Sequence, residues 1–413
     1  MTDEKKPLNV WLYTAIPEHD QFRPLIRPFF QRFKSVIRNT ANRLSTLLNG
    51  QLQADIYHYQ VANSLGDNSN RGDIAIRMAV REQIADALGK RIVNFTELKW
   101  ANLSDDIVDE INRECDLFVI SGGGYLFINS DGSGGGSFAD IPYLQRMRCP
   151  VIAYGIGLNR LMHEKVCDVR DVSTKTKGDI REFVSACSLI GVRDAHTLEL
   201  LDLYGDRPVS LIGDPVLFLR PSQTSSPITR PRARPSIGVN LAVHSWRALK
   251  MLKPLLPNVI ELLRHVQSLH NAKLTYLLHH DYEEVVVSFL QQQGIEMNVV
   301  RTDAPQLLST YGYLDFVICQ MLHSCIFAAN QGTPFFNIAY DQKSVAFCEL
   351  LGIPQCTIAH QDATADALKK SCDGLFYSRE AIKHALTAGC EPLKIAQNKF
   401  ASHMSALVEG PAA

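Results

Sequence analysis

Residues 314–352 read LDFVICQMLHSCIFAANQGTPFFNIAYDQKSVAFCELLG. The pattern changes three times within this stretch. LDFVICQMLHS (314–324) opens on a short, almost wholly apolar run, which predicts a strand buried on both faces. CIFAANQG (325–332) turns as a short helix, PFFNIAYD (334–341) is a second strand, and KSVAFCELLG (343–352) is a helix stopped by glycine. Two strands joined through a helix pair in parallel, because a parallel connection must cross over the sheet. Polar residues gather where the apolar runs end: His323 after the first, Asp341 and Lys343 after the second.

The same alternation extends in both directions. Upstream lie strands at 236–243, 272–281 and 296–301, with helices at 257–271, 283–294 and 304–313 between them. Further upstream, LNVWLYTA (8–15), CDLFVISGGG (115–124), CPVIAYGIGLN (149–159) and VSLIGDP (209–215) read as strands. AIRMAVREQIADALG (75–89), SFADIPYLQRM (137–147) and AHTLELLDLYG (195–205) read as helices, and KGDIREFVSACSLIGVRD (177–194) as helix then strand. Strands alternating with helices predict α/β architecture with parallel sheets covered on both faces. The stretch SQTSSPITRPRARP (222–235), rich in proline, serine and arginine, interrupts the series. The expected organisation is a unit over 1–221, a linker over 222–235, a second unit over 236–377 and a helical segment over 378–413. A chain of 413 residues is long enough for two domains of the usual ~100–200 residues.

Composition narrows the function classes. Lys plus Arg number 42 and Asp plus Glu 43, so the chain lacks the basic excess of a nucleic-acid coat. The ten cysteines form no C-x-x-C pair and no zinc-spaced cluster; scattered through apolar segments, they suit buried thiols in a reducing compartment. MTDEKKPLNVWLYT lacks the apolar core of a secretory signal, and no run reaches the ~18 apolar residues of a membrane span. A cytoplasmic location is expected. Residues 21–44, QFRPLIRPFFQRFKSVIRNTANRL, carry six basic and no acidic residues among Leu, Ile, Phe and Val. Such a segment either packs its apolar stripe on the protein or lies at the inner membrane surface.

In open α/β sheets ligands bind beyond the carboxyl ends of the strands. In the first unit those ends offer Gly122, Gly123 and Gly124, the glycine-rich stretch 130–137 as an anion cradle, and Asp73, either a cap or a site residue at a helix start. In the second they offer His244, the run His279–His280–Asp281, His323, Asp341 and Lys343. Four such ends point to a convergent cleft, with histidine suited to proton transfer near neutral pH. The adjacent histidines make a poor metal site, because neighbours on an extended chain face opposite ways.

NRGDIAI (70–76), SGGGYLF (121–127), YGIGLN (154–159), GVRDAHTLELL (191–201), GDPVLFL (213–219) and the stretch 321–352 together resemble the polysaccharide pyruvyl transferases. The resemblance covers roughly residues 65 to 355. It implies two Rossmann-like domains facing a central cleft, as in GT-B enzymes, with the chain end packing back on the first domain. It implies phosphoenolpyruvate as donor substrate, no cofactor and no metal, and a sugar or lipid-linked oligosaccharide as acceptor, joined as a pyruvate ketal. On this basis His323 is the expected acid/base. His244, His279 and His280 are expected for proton transfer or donor contact, and Arg193, Arg247 and Lys343 as anion partners. Asp194 either pairs with Arg193 or contacts a sugar hydroxyl, and Asp214 shapes a turn. The family motif reads Arg-Leu-His where this chain has Met321-Leu322-His323. A methionine cannot replace the forked contact of arginine to an anion. Another cation then serves, or the donor differs, as in a GT-B glycosyltransferase, or the chain is a non-catalytic glycan-assembly protein.

If residues 21–44 dock on a membrane, the protein will sediment with anionic vesicles and be released by salt. Replacing Arg27, Arg32 and Lys34 with Glu will abolish the binding. A wild-type protein that ignores the vesicles assigns the segment to internal packing.

Overall fold

The computed structural model describes residues 6–18, 70–89, 91–129, 131–159, 170–221, 234–242 and 246–409. The basic segment 21–44, most of the 222–235 stretch and His244 lie outside the described residues. Within them, the first unit contains β1 (Leu8–Thr14), α1 (Arg71–Leu88), β2 (Val93–Lys99), α2 (Asp105–Glu114), β3 (Leu117–Phe127), α3 (Ile141–Leu144), β4 (Val151–Asn159), α4 (Thr174–Ala186), β5 (Leu189–Val192), α5 (Ala195–Tyr204) and β6 (Ser210–Leu211). The second contains β7 (Ser236–Asn240), α6 (Trp246–Leu269), β8 (Lys273–Leu277), α7 (Glu284–Gln292), β9 (Met297–Val300), α8 (Ala304–Tyr311), β10 (Phe316–Cys319), α9 (Leu322–Asn330), β11 (Phe335–Ala339), α10 (Gln342–Leu350) and β12 (Thr357–Ala359). Two helices, α11 (Ala365–Tyr377) and α12 (Arg379–Glu409), end the chain.

Each unit is a six-stranded parallel sheet, in the orders β2-β1-β3-β4-β5-β6 and β12-β11-β10-β7-β8-β9. The second, counted from β7, is the 3-2-1-4-5-6 order of a Rossmann fold, with its topological switch between β7 and β10. The protein is thus an α/β pair of Rossmann-like domains in a GT-B-like arrangement.

Local chemistry moves several expected boundaries. β3 does not stop at its glycines: Gly122 and Gly123 adopt φ of +52° and +72°, and the strand continues to Phe127 with a register shift against β4. The predicted helix at 137–147 is a 3₁₀ turn over Gly136–Asp140 followed by the single-turn α3. In the 130–137 stretch three amides expected for an anion are engaged within the chain. The amides of Gly132, Ser133 and Gly135 already donate to Asn129 O, Asp131 Oδ1 and Phe127 O.

Several contacts join the units. Asn330, the last residue of α9, donates to the carbonyls of Val216, Leu217 and Leu219 at 2.7, 3.2 and 2.9 Å. Helix α12 lies against the first sheet, where the Phe400 ring meets Tyr154 edge-on at 5.3 Å and Gln397 donates to the Tyr154 hydroxyl.

Phe400 is 1% exposed, so Phe400→Ala should lower stability by about 3–5 kcal/mol, the usual loss for a buried aromatic. Urea unfolding of the first unit, followed by its circular dichroism, reads this. An unchanged midpoint would mean that α12 does not stabilise the sheet.

Candidate active site

The carboxyl ends of both sheets open on one cavity. Asn70, Asp73, Trp100, Gly124, Asn159 and Arg193 line it from the first unit, and Met321, Leu322, His323, Tyr340 and Lys343 from the second. Three helices begin beside it. Helix α1 is capped by Asn70, whose side chain accepts from the amides of Gly72 and Asp73. Helix α10 is capped by Asp341, which accepts from Ser344 N at 3.1 Å. Helix α9 starts from Met321, which supplies no side-chain cap. Helix N-termini carry partial positive charge and free amides, so this placement favours an anion.

His323 is not at a strand end. Strand β10 closes at Cys319, where Gln320 N donates to Asn240 O and the Gln320 side chain accepts from Ala242 N, tying together the loops after β10 and β7. His323 is therefore the second residue of α9. Its Nε2 lies 3.8 Å from Asp73 Oδ1 across the cleft. The ring rests directly on Gly72, where an added Cβ would come within 1.8 Å of Nδ1. Glycine at position 72 is thus a condition of the pairing.

Burial pushes the His323 imidazole well below its ordinary range, and His279, Lys343, Arg193 and His280 add to the effect. Burial raises the Asp73 carboxyl to about 6, against the pull of Lys343 and Arg193 and with help from Asp214. A neutral imidazole beside a carboxylate can accept a proton from a bound hydroxyl, and the carboxylate then stabilises the imidazolium.

The other predicted residues separate. Lys343 lines the cavity, with Nζ 3.3 Å from Asp341 Oδ2. Arg193 also lines it but is buried between two carboxylates, Nη1 at 3.4 Å from Asp214 and Nε at 3.8 Å from Asp194. Asp194 caps α5, accepting from Thr197 N at 2.8 Å, and Asp214 caps the turn after β6, accepting from Val216 N at 3.1 Å. Neither is a cavity wall. Gly124 lines the cavity, and Gly123 lies behind it against Trp100.

His279 departs from expectation. It is fully buried, with Nε2 at 2.7 Å from the Tyr311 hydroxyl, which in turn bonds Ser324 of α9 at 2.7 Å. Burial and the charge of Arg71 push it down to about 3, so it is a neutral prop beneath α9 rather than a donor contact. His280 is also off the cavity wall; its backbone amide donates to the buried Glu283. Arg247 lies in the first turn of α6, and only its backbone position is described. Among the described residues no group of three His, Cys, Asp or Glu side chains is placed to hold a metal ion.

Sequence reasoning did not pick out Asn70, Gly72, Trp100, Asn159 or Tyr340. Asn70 was accessible as an N-cap preceding an apolar-periodic run. Gly72, Asn159 and Tyr340 fall inside the quoted stretches 70–76, 154–159 and 321–352 without being singled out there, and Trp100 lies outside all of them.

A family model of polysaccharide pyruvyl transferases matches residues 10–342. Comparison with curated proteins finds no significant match. Among solved structures, a putative UDP-N-acetylglucosamine 2-epimerase from Listeria monocytogenes superposes with a TM-score of 0.54 at 14% identity, over 79% of this chain and 91% of that one. MnaA of S. aureus, solved with UDP, gives 0.52 at 11% identity over 80% and 93%. At these identities the likeness concerns the fold.

Asp73 makes the sign of a pH effect testable. A carboxyl whose folded pKa is raised from 3.8 to about 6 binds its proton more tightly when folded, so it destabilises the protein increasingly as pH rises through that window. Asp73→Asn should therefore stabilise the protein by roughly 1–3 kcal/mol at pH 8, with the gain fading toward pH 4. Thermal melts of both proteins across this range test it, and destabilisation at pH 8 would contradict it.

Proposed function

The chain belongs to the polysaccharide pyruvyl transferase family, and from that premise we propose that it transfers the pyruvyl unit of phosphoenolpyruvate to two hydroxyls of a sugar in a glycan or glycan precursor, forming a pyruvate ketal. The observation that carries this reading is the pairing of His323 with Asp73 across the cleft, in a cavity that also presents Lys343.

The protons balance through one imidazole. Neutral His323 takes the proton of the first sugar hydroxyl, whose oxygen bonds to the central carbon of the donor as the electron pair of the double bond takes up the returned proton at the methylene carbon. The imidazolium, steadied by Asp73, returns that proton to the methylene carbon, which becomes the methyl group. The second hydroxyl then displaces phosphate at the same carbon, and its proton leaves with the phosphate. Negative charge grows on the leaving phosphate, where Lys343 and the amides opening α9 and α10 stabilise it.

Met321 packs with Ala242 and Tyr340 in a small apolar cluster. It offers the methylene end of the donor an apolar contact, while Lys343 supplies the charge that an arginine at position 321 would bring. The acceptor is a neutral sugar on a glycan precursor. Among the described residues no helix is long and apolar enough to cross a membrane, so contact with a lipid-linked precursor falls to the surface of the protein.

Mass spectrometry of cell-derived glycan precursors incubated with protein and phosphoenolpyruvate should show the gain of one pyruvyl unit. His323→Gln should slow turnover by ~10²–10⁴-fold, the scale of acid–base catalysis, with folding unchanged. Full turnover in that variant removes His323 from the chemistry. Transfer of a sugar from a nucleotide donor in place of pyruvyl would overturn the proposal.

A further inference from the structure

Trp100 stands just beyond β2 on the first-unit wall of the cavity. An unusual amount of structure fixes it. Its backbone amide donates to Thr14 O at 3.0 Å, and its indole Nε1–H donates to Tyr13 O at 2.9 Å. The ring meets Tyr125 edge-on at 5.4 Å. The next residue, Ala101, sits at φ +64°, a left-handed conformation that non-glycine residues rarely adopt. Its amide donates to the Tyr13 hydroxyl at 2.6 Å. Tyr13 passes its own hydroxyl proton to the carboxylate of Asp140 at 2.9 Å, and Tyr125 donates to the same oxygen at 3.0 Å. Asp140 is buried. Strained backbone held by an interlocked polar network is a feature of ligand sites, where the strain sets a side chain in advance.

The surroundings of the indole are cleared as well. An added Cβ on Gly123 would reach 3.1 Å from Trp100 Cη2, and Gly124, without a side chain, faces the cavity next to Asn159. Of the charged groups of the cavity, His323 and Lys343 come from the second unit, while Asp73 and Arg193 share the first-unit wall. The rest of that wall is the indole, the bare Gly124 and the neutral amides of Asn70 and Asn159.

We infer that Trp100 is the platform for the pyranose ring of the acceptor, with the amide of Asn159 serving its hydroxyls. A pyranose has one apolar C–H face and a polar rim, which matches an aromatic plane edged by a neutral hydrogen-bonding side chain. An anionic donor would instead seek Lys343 and Arg193. The inference rests on the proposed transfer reaction for the identity of the sugar as acceptor, and its test reads binding rather than turnover.

The probes are the methyl glycosides of glucose, galactose, mannose and N-acetylglucosamine, observed by saturation-transfer NMR, with phosphoenolpyruvate and UMP titrated separately by calorimetry. The wild type should bind at least one glycoside. Trp100→Ala should weaken it ~5-fold or more, Trp100→Phe should retain part of the affinity, and both should bind phosphoenolpyruvate as the wild type does. Wild-type protein that binds no glycoside, or Trp100→Ala that binds it unchanged, overturns the inference. So does a Trp100→Ala variant that loses UMP instead, which would make the indole a base platform. If glycoside binding depends on Trp100 while the wild type ignores phosphoenolpyruvate, the platform stands and the proposed donor fails.

Discussion

The cavity depends on how the first turn of α1 meets the second unit. Asn70-Arg71-Gly72-Asp73 performs four tasks in four residues. Asn70 caps the helix. Arg71 crosses to the other unit: its amide donates to His279 O at 3.0 Å, its Nε to Thr302 O at 2.7 Å and its Nη2 to Asp281 Oδ1 at 2.6 Å. Gly72 leaves room for the His323 ring, and Asp73 faces that ring. The ion pair is partly open to solvent on the Asp281 side and contributes little energy by itself. Its importance is geometric, because it ties together the two units whose carboxylate and imidazole face each other at 3.8 Å.

Electrostatics in this setting follow from desolvation. Two ionisable groups withdrawn from water both shift toward their neutral forms, the histidine downward and the aspartate upward. Lys343 and Arg193 oppose the shift of the aspartate and reinforce that of the histidine. An arriving dianion would reverse that influence on the imidazole, since its charge offsets the cations that hold the proton away. With the proposed anionic donor, binding and readiness to hold a proton would be linked through Lys343.

The alternation of apolar runs made the two parallel sheets legible; strand ends pointed to Lys343 and His323, a helix start to Asp73, and the family resemblance to Arg193. The Rossmann order was not legible, because β7 pairs with β10, its neighbour in space and not in sequence. His323 read as a strand-end residue because nothing in QMLHS announces that the chain turns at Gln320. His279 and His280 misled for a physical reason. A histidine after a buried strand can turn inward when an aromatic hydroxyl waits for it, and Tyr311 lies 32 residues further on. Trp100 was hidden because VNFTELK (93–99) gives a weak strand signal and its supporting partners Tyr13, Tyr125 and Asp140 come from other elements. Gly72 is one glycine among 25, and only the ring lying on it distinguishes it.

His323 sits half-buried in the cleft against Gly72 and Asp73, and its imidazole is held in the neutral form. The most direct measurement is an NMR pH titration of the His323 imidazole, assigned by its loss in His323→Gln. The ring should stay neutral through the pH range near 6.5 where an ordinary histidine titrates, and Gly72→Ala, which denies the ring its place, should restore ordinary titration. A His323 that titrates near 6.5 in the wild type, unchanged by Gly72→Ala, would contradict this.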